Sequence, residues 1–491
     1  MNTQIKFIGY APDADPTIPG VFTSCSSVIP TLRGFKAAPT PVATTLPALA
    51  ASCQGATLAV KVDNTTRFIA ATGTNLYEES GGSWSDVTRS TGGNYGATSD
   101  LRWNFAQYND TTLAAVKTDT LQFSTTSGKF ENVTGAPMAS IVETVNDFIF
   151  LFDTSETTYG DCPNRWWCAA EGDFTDWTPD VNTNCYTGLL TSSPGSIRAA
   201  KRFGDNIIAY KDRAMYVGYF AGNPVGWSFS EIPGDTGALS STCVVNVGTL
   251  DSPKHIFMGY NDFFEYDGAR PIPLGANVLK ETVFQTLNRT YSYVSTALHD
   301  YLGNRIFFFY PTSDSVYPDS CVVFNYKTNQ WGRDDRSVEA VVSYISSGMT
   351  YDNLGSTYGT YDALPSTSYD TSFYAPGVPQ VAFFDLAHTL YTLNGSPSSS
   401  SITLGDYGDD DQFTLLTRVK PRFLTAPSTA TLFNYYKNNL GDSVTLDGSV
   451  GFTEERFDLM REARWHRVRM DFTGDMEITG LIADAVVGGY G

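Results

Sequence analysis

Positive charge is what this chain has least of for its size: 32 Lys and Arg stand against 52 Asp and Glu in 491 residues, a net charge of −20. A surface that acidic does not grip nucleic acid broadly, because phosphate binding relies on Lys and Arg. Runs of Leu, Glu, Lys or Ala that would sustain helices are few. No apolar run is long enough to span a bilayer, and no apolar core follows Met1-Asn2-Thr3-Gln4-Ile5-Lys6. The expectation is a cytosolic product that is neither exported nor inserted in a membrane. The sequons at Asn64, Asn109, Asn132, Asn288 and Asn394 then follow from Asn- and Thr-rich turns. Only four histidines are present, far apart, and Cys25, Cys53, Cys162, Cys168, Cys185, Cys243 and Cys321 fit no zinc spacing. Buried free thiols are expected, and no metal or cofactor. A phosphate-cradling Gly-rich loop, a Gly-x-Ser-x-Gly elbow and a His-Glu-x-x-His helix are all missing.

What is abundant favours strands: 28 Tyr, 31 Phe and 43 Gly. A seven-residue step between aromatic residues across a tight turn recurs, from Tyr77 to Trp84, Phe123 to Phe130, Trp167 to Phe174 and Phe324 to Trp331. Short alternating runs precede each copy, as Arg67–Thr72 and Asn75–Glu79 precede Trp84, so one unit is about four short strands. Outer-strand anchors at Trp84, Phe130, Phe174, Trp227, Ile272 and Trp331 lie roughly 44 to 59 residues apart, close to the size of a propeller blade. The expected fold is all-β, a propeller of six or seven four-stranded blades followed by a C-terminal β-sandwich-like domain.

The divisions read as follows. Residues 1–55 form an extended arm, where seven prolines from Pro12 to Pro47 exclude helix and central strand alike. Residues 56–395 form the propeller, with a short helix between Ala276 and Leu287 and a Tyr-, Ser- and Gly-rich insertion at about 347–377; strand patterns at Val381–Asp385 and Thr389–Leu393 leave room for a seventh blade. Ser396–Ser401 reads as a linker. Residues 402–491 form an antiparallel β domain, in which Val468, Met470 and Phe472 share a dry face.

Catalysis is not expected. The nearest string to the Ser-x-Asp-x-Gly-x-x-Trp turn of sialidase-like blades, Ser124 to Phe130, lacks both the Asp and the Trp, and among Asp300, Asp173 and Asp176 no carboxylate pair stands out. The run Asp406-Tyr407-Gly408-Asp409-Asp410-Asp411 lacks the Gly and Glu of a calcium loop and reads as a solvated acidic turn. Arg456, Arg461, Arg464, Arg467 and Arg469 are the local exception to the acidity. They suit equally an ion network with Glu454, Glu455, Asp458, Glu462 and Asp471 or a docking face for an acidic partner.

Several stretches are similar to the tail nozzle or packaged-DNA stabilisation proteins of short-tailed bacteriophages: Leu32-Arg33-Gly34-Phe35, Ile69 to Tyr77 with Gly81-Gly82-Ser83-Trp84, Trp103 to Tyr108, Phe203 to Tyr210, and Phe264 to Gly268. The resemblance runs in order from about residue 32 to 290. It implies a structural virion protein, a homohexameric ring below the portal and its adaptor or head-completion protein, beside tail fibres or tailspikes. Such a ring closes the exit channel and passes double-stranded DNA without sequence-specific binding. Six copies would together carry about −120, which lets a duplex slide. On this reading the Arg456–Arg469 cluster is an assembly contact, and gate residues are sought at Tyr351, Tyr358, Tyr361, Asp406, Asp409, Asp410 and Asp411. The alternative is a carbohydrate-binding or glycan-cleaving propeller of a receptor-binding apparatus.

Overall fold

The computed structural model describes residues 2–345 and 379–490. Tyr351, Tyr358 and Tyr361 lie outside the described residues. The described chain is almost wholly β, and no helix in it is long and apolar enough to cross a membrane.

Seven antiparallel four-stranded blades form the propeller. The first comprises Gly55–Val60, Thr66–Ala71, Leu76–Ser80 and Ser83–Asp86; the second Asn104–Tyr108, Thr111–Val116, Asp119–Thr125 and Glu131–Asn132. The third runs Met138–Val145, Phe148–Glu156, Gly160–Cys168 and Tyr186–Leu189, and the fourth Ile197–Phe203, Asn206–Lys211, Met215–Phe220 and Trp227–Ile232. The fifth is Val244–Asn246, His255–Met258, Phe263–Tyr266 and Ile272–Pro273, and the sixth Thr296–Asp300, Arg305–Tyr310, Ser320–Asn325 and Gln330–Arg333. The seventh takes Ala340–Tyr344, Gln380–Phe384 and Leu390–Gly395 from one end of the propeller sequence and its outer strand, Thr40–Ala43, from the other.

Period-two alternation builds the ring. Successive side chains on a strand point to opposite faces, so a second strand that is apolar throughout feeds two inter-blade cores at once. In Thr66–Ala71, Phe68 and Ala70 pack with Val342, Phe384 and Leu390 of the seventh blade. Ile69 and Ala71 pack with Ala114 and Val116 of the second. Phe307 and Phe309 likewise meet Phe383 of the seventh blade, while Ile306 and Phe308 turn to Met258 and Phe263 of the fifth. At the seam, Phe68 meets Tyr344 at 5.0 Å between centroids, and Trp84 meets Phe384 at 6.1 Å.

The C-terminal domain is a two-sheet sandwich. One sheet has the order Gly9–Tyr10, Val21–Ser26, Ser399–Gly408, Trp465–Thr473, Thr429–Lys437, Thr445–Gly451. The other has Val28–Pro30, Phe35–Ala37, Glu477–Tyr490, Gln412–Thr425 and Phe457–Ala463, with Asn2–Lys6 also paired to Glu477–Tyr490. Ile402, Leu432, Val468, Met470 and Phe472 meet Leu416, Val419, Phe457 and Ile478 between them.

Several expectations need correction. The segment 1–55, expected as an extended arm without central strands, contributes six strands, some inside sheets, and Val28 pairs with Arg333, which makes the sixth blade continuous with a sandwich sheet. Ser399–Ser401 already belongs to a strand, because pairing with Ser26 and with Asp471–Thr473 satisfies its backbone. Phe174 lies in an excursion between the third and outer strands of its blade, where it packs on Phe123 at 5.1 Å. The helix is shorter, Lys280–Thr286, though Leu279, Val283, Phe284 and Leu287 are all buried. Its first-turn amides are met by the arm, since Thr282 N donates to Asp13 Oδ1 at 3.1 Å.

Two predictions follow from this packing. Truncation of residues 1–45 removes the outer strand of blade seven and five sandwich strands, so it should abolish cooperative unfolding and leave an aggregation-prone chain; a truncated protein with an unchanged melting profile would contradict it. The second concerns His255, fully buried between blades four and five, whose ring joins Tyr210 Oη at 2.7 Å and Arg202 O at 2.8 Å. Burial pushes its pKa down to about 4. The unfolded chain, with a pKa of roughly 6.5, therefore binds the proton more readily, and stability is lost as pH falls from about 6.5 toward 4. Asp334, pushed up to about 6 by burial, acts in the opposite sense. The variant His255→Gln isolates the imidazole: between pH 7 and 5 the wild type should lose about 2 kcal/mol more than the variant in urea unfolding.

Candidate functional site

Propellers present function at the ends of their axis, where the segments entering the inner strands converge. Arg102 precedes the inner strand of blade two, and Tyr293 that of blade six. The guanidinium stands 5.8 Å from the Tyr293 ring centroid and donates to Ser99 O and Leu101 O at 2.9 and 2.8 Å. Burial lowers the Arg102 pKa, which Tyr293, Cys53, Tyr317 and Glu339 partly counteract. Segments entering blades two and six thus meet across the ring at the Arg102–Tyr293 contact. Beside them Glu339, only 3% exposed, accepts from Cys53 N at 2.8 Å and pairs with His388 Nδ1 at 2.9 Å. That carboxylate ties blade seven to blade one. Neither Arg102 nor Glu339 has a sequence signature, because their partners lie far away along the chain.

The arginine cluster lies in the sandwich. Arg467 forms a two-pronged pair with Asp406 at 2.8 and 3.0 Å, and Lys437 reaches the same carboxylate at 2.9 Å. Asp406 is 2% exposed and belongs to Ser399–Gly408, so it lies on a strand and not in the expected acidic turn. Arg469 pairs with Asp471, Arg456 with Asp458 and Glu454, and Arg461 with Asp447. Arg461 also stacks on Tyr436 at 3.5 Å, and Arg464 lies 5.1 Å from the Phe413 ring centroid. Neighbouring carboxylates offset much of the cluster's charge. Asp447 and Asp406, on other strands, are the partners that proximity in sequence did not supply.

The turn that remains is Asp409, Asp410 and Asp411, all exposed. Asp410 accepts from Trp465 Nε1 at 2.9 Å, and Asp409 from Asp411 N at 2.7 Å. Beside it a cavity of about 290 Å³ opens between the two sheets. Its lining includes Ile5, Leu416, Val468, Leu481, Ala485 and Val487, with Asp409 and His466 among the few polar members.

The other carboxylates have structural partners. Asp300 accepts from Gly303 N at 3.0 Å and from Arg305 Nη2 at 2.6 Å. Asp173 receives Thr175 N and Oγ1, which lowers its pKa, and Asp176 receives Thr178 N. Among the described residues no group of three or more His, Cys, Asp or Glu side chains is placed to hold a metal ion. All seven cysteines are unpaired, and six are buried.

Asp406→Ala should cost about 3–5 kcal/mol in urea unfolding, because it strands two cations that share one buried carboxylate. Arg469→Glu, at a half-exposed pair, should cost about 1 kcal/mol or less. Equal effects of the two would contradict the assignment. Arg467 is therefore unsuitable for a charge-reversal test of docking, since Glu there would face Asp406.

No protein-family profile matches the chain, and no curated protein matches it in sequence. Solved structures that resemble it include YCF48 bound to D1 peptide (TM-score 0.38, 11% identity, over 74% of this chain and 97% of that one). The extracellular domain of the hybrid two component system BT4673 from B. thetaiotaomicron matches with TM-score 0.41 and 10% identity, over 79% of this chain and 44% of that one. An exo-beta-1,3-galactanase from Phanerochaete chrysosporium matches with TM-score 0.25 and 9% identity, over 81% and 98%. These likenesses are too distant to say what this chain binds or acts on.

Proposed function

We propose that this chain is a structural subunit of a short-tailed phage tail. Several copies ring the exit path below the portal and its adaptor, retain the packaged duplex and conduct it on ejection. The sequence stretches that resemble tail nozzle proteins suggest the reading, and one observation carries it: the arm stitches propeller and sandwich into one body through strand pairing at Val28–Arg333 and at Thr40–Ala43. Backbone ladders resist sliding between domains, which suits a part that holds pressurised DNA and does not suit an enzyme that must open and close around substrate.

The conduit then lies between copies and not along the propeller axis, whose mouth carries the Arg102–Tyr293 contact. A charge of −20 per copy keeps a passing duplex from adhering. Imaging of particles that carry the chain should show it as a ring around the tail axis, and particles depleted of it should leak DNA from filled heads. Cleavage of host polysaccharide by the purified chain, or its absence from particles, would overturn the reading. In fluorescence polarisation the purified chain should bind duplex DNA no tighter than the usual non-specific range of roughly 10⁻⁴–10⁻⁶ M at physiological salt.

A further inference from the structure

We propose that the cavity between the sandwich sheets receives an apolar knob from blade six of a neighbouring copy of this chain. Protein interiors rarely keep voids much larger than a water molecule. This one, at about 290 Å³, is roughly twice the ~150 Å³ space that admits a benzene ring. It is walled largely by aliphatic side chains, and of these Val487 is 55% exposed. An exposed valine on the wall of an open apolar cavity marks a surface that association would cover.

The chain carries a projection suited to it. Tyr301 and Leu302, at the turn between the first two strands of blade six, are 66% and 71% exposed, more than any other adjacent pair of large apolar side chains among the described residues. The turn is held in shape: Asp300 ties Gly303 N and Arg305, and the Tyr301 ring lies 3.9 Å from that of His299. A knob fixed before binding loses little conformational freedom on docking.

Charge selects a second copy over a lipid or a fatty acid. Asp409 lines the cavity and continues into exposed Asp410 and Asp411, which repels anionic headgroups. The knob brings the opposite sign, for exposed Lys327 sits on the adjoining turn, where Tyr326 N donates to Asn304 O at 3.3 Å. Knob and cavity lie on different domains, so the contact is head-to-tail, the kind that generates rings when the rotation closes. The inference rests on the ring proposed above and names its interface.

Sedimentation and mass photometry of the purified full chain test it. Wild type should associate with rising concentration. Leu302→Asp and the cavity-filling Ala485→Phe should each weaken association by about tenfold or more while leaving the thermal melt unchanged. Lys327→Glu and Asp409→Lys should each weaken it, and together restore it. If wild type forms rings and Leu302→Asp leaves them intact, this interface is wrong and the ring reading stands. A wild type that stays monomeric at its highest soluble concentration, and in particles, overturns both.

Discussion

Closure of the propeller depends on one short antiparallel pairing, that of Thr40–Ala43 with Tyr391–Gly395. An open sheet of blades would leave blade seven with a bare edge, and exposed edges template aggregation. The chain solves this by using its beginning to finish its end. The pairing spans about 350 residues, so the ring cannot close until the whole propeller sequence has been made, a strongly non-local topology that folds slowly. The same arm then supplies Gly9–Tyr10 and Val21–Ser26 to one sandwich sheet and Phe35–Ala37 to the other. Propeller closure and sandwich completion are thereby one event.

The blades were legible because their signals are local. Phe324 and Trp331 face each other directly across the hairpin, as the seven-residue step implies. The step does not mean the same thing everywhere: Tyr77 pairs with Asp86 and Trp84 with Glu79, and in blade three Trp167 pairs with Thr187 while Phe174 leaves the sheet. Spacing reports the length of a turn, whereas register is set by which backbone amides pair, and aromatic counting is blind to that. Proline was informative in a different way. Pro41 excludes a central strand, and it occurs in the outermost strand of its blade, where one unused amide costs nothing.

The arm and the charged groups were poorly legible because their partners are distant. Nothing near Asp406 in sequence announces Lys437 or Arg467, and the run of acidic residues from 406 to 411 hides a boundary. Asp406 is drawn inward by two cations, while Asp409, three residues on, is exposed. Composition suggested a single solvated turn. The alternation of the strand, combined with the two bases that meet Asp406, divides it.

That division bears on the self-association proposed for this acidic chain. Copies carrying −20 each repel at long range, so an interface between them needs apolar area or local cations within a Debye length, about 8 Å at physiological salt. Most arginines of the sandwich are already engaged: Arg456, Arg461, Arg467 and Arg469 hold carboxylates of their own chain. Cations committed in this way add stiffness to the subunit and little attraction for another. In the proposed ring, association would draw on exposed apolar side chains backed by a lysine, and blade six together with the open end of the sandwich offers that combination. A duplex passing such a ring would meet acidic surface, while the cohesion of the ring would reside in contacts that salt screens weakly.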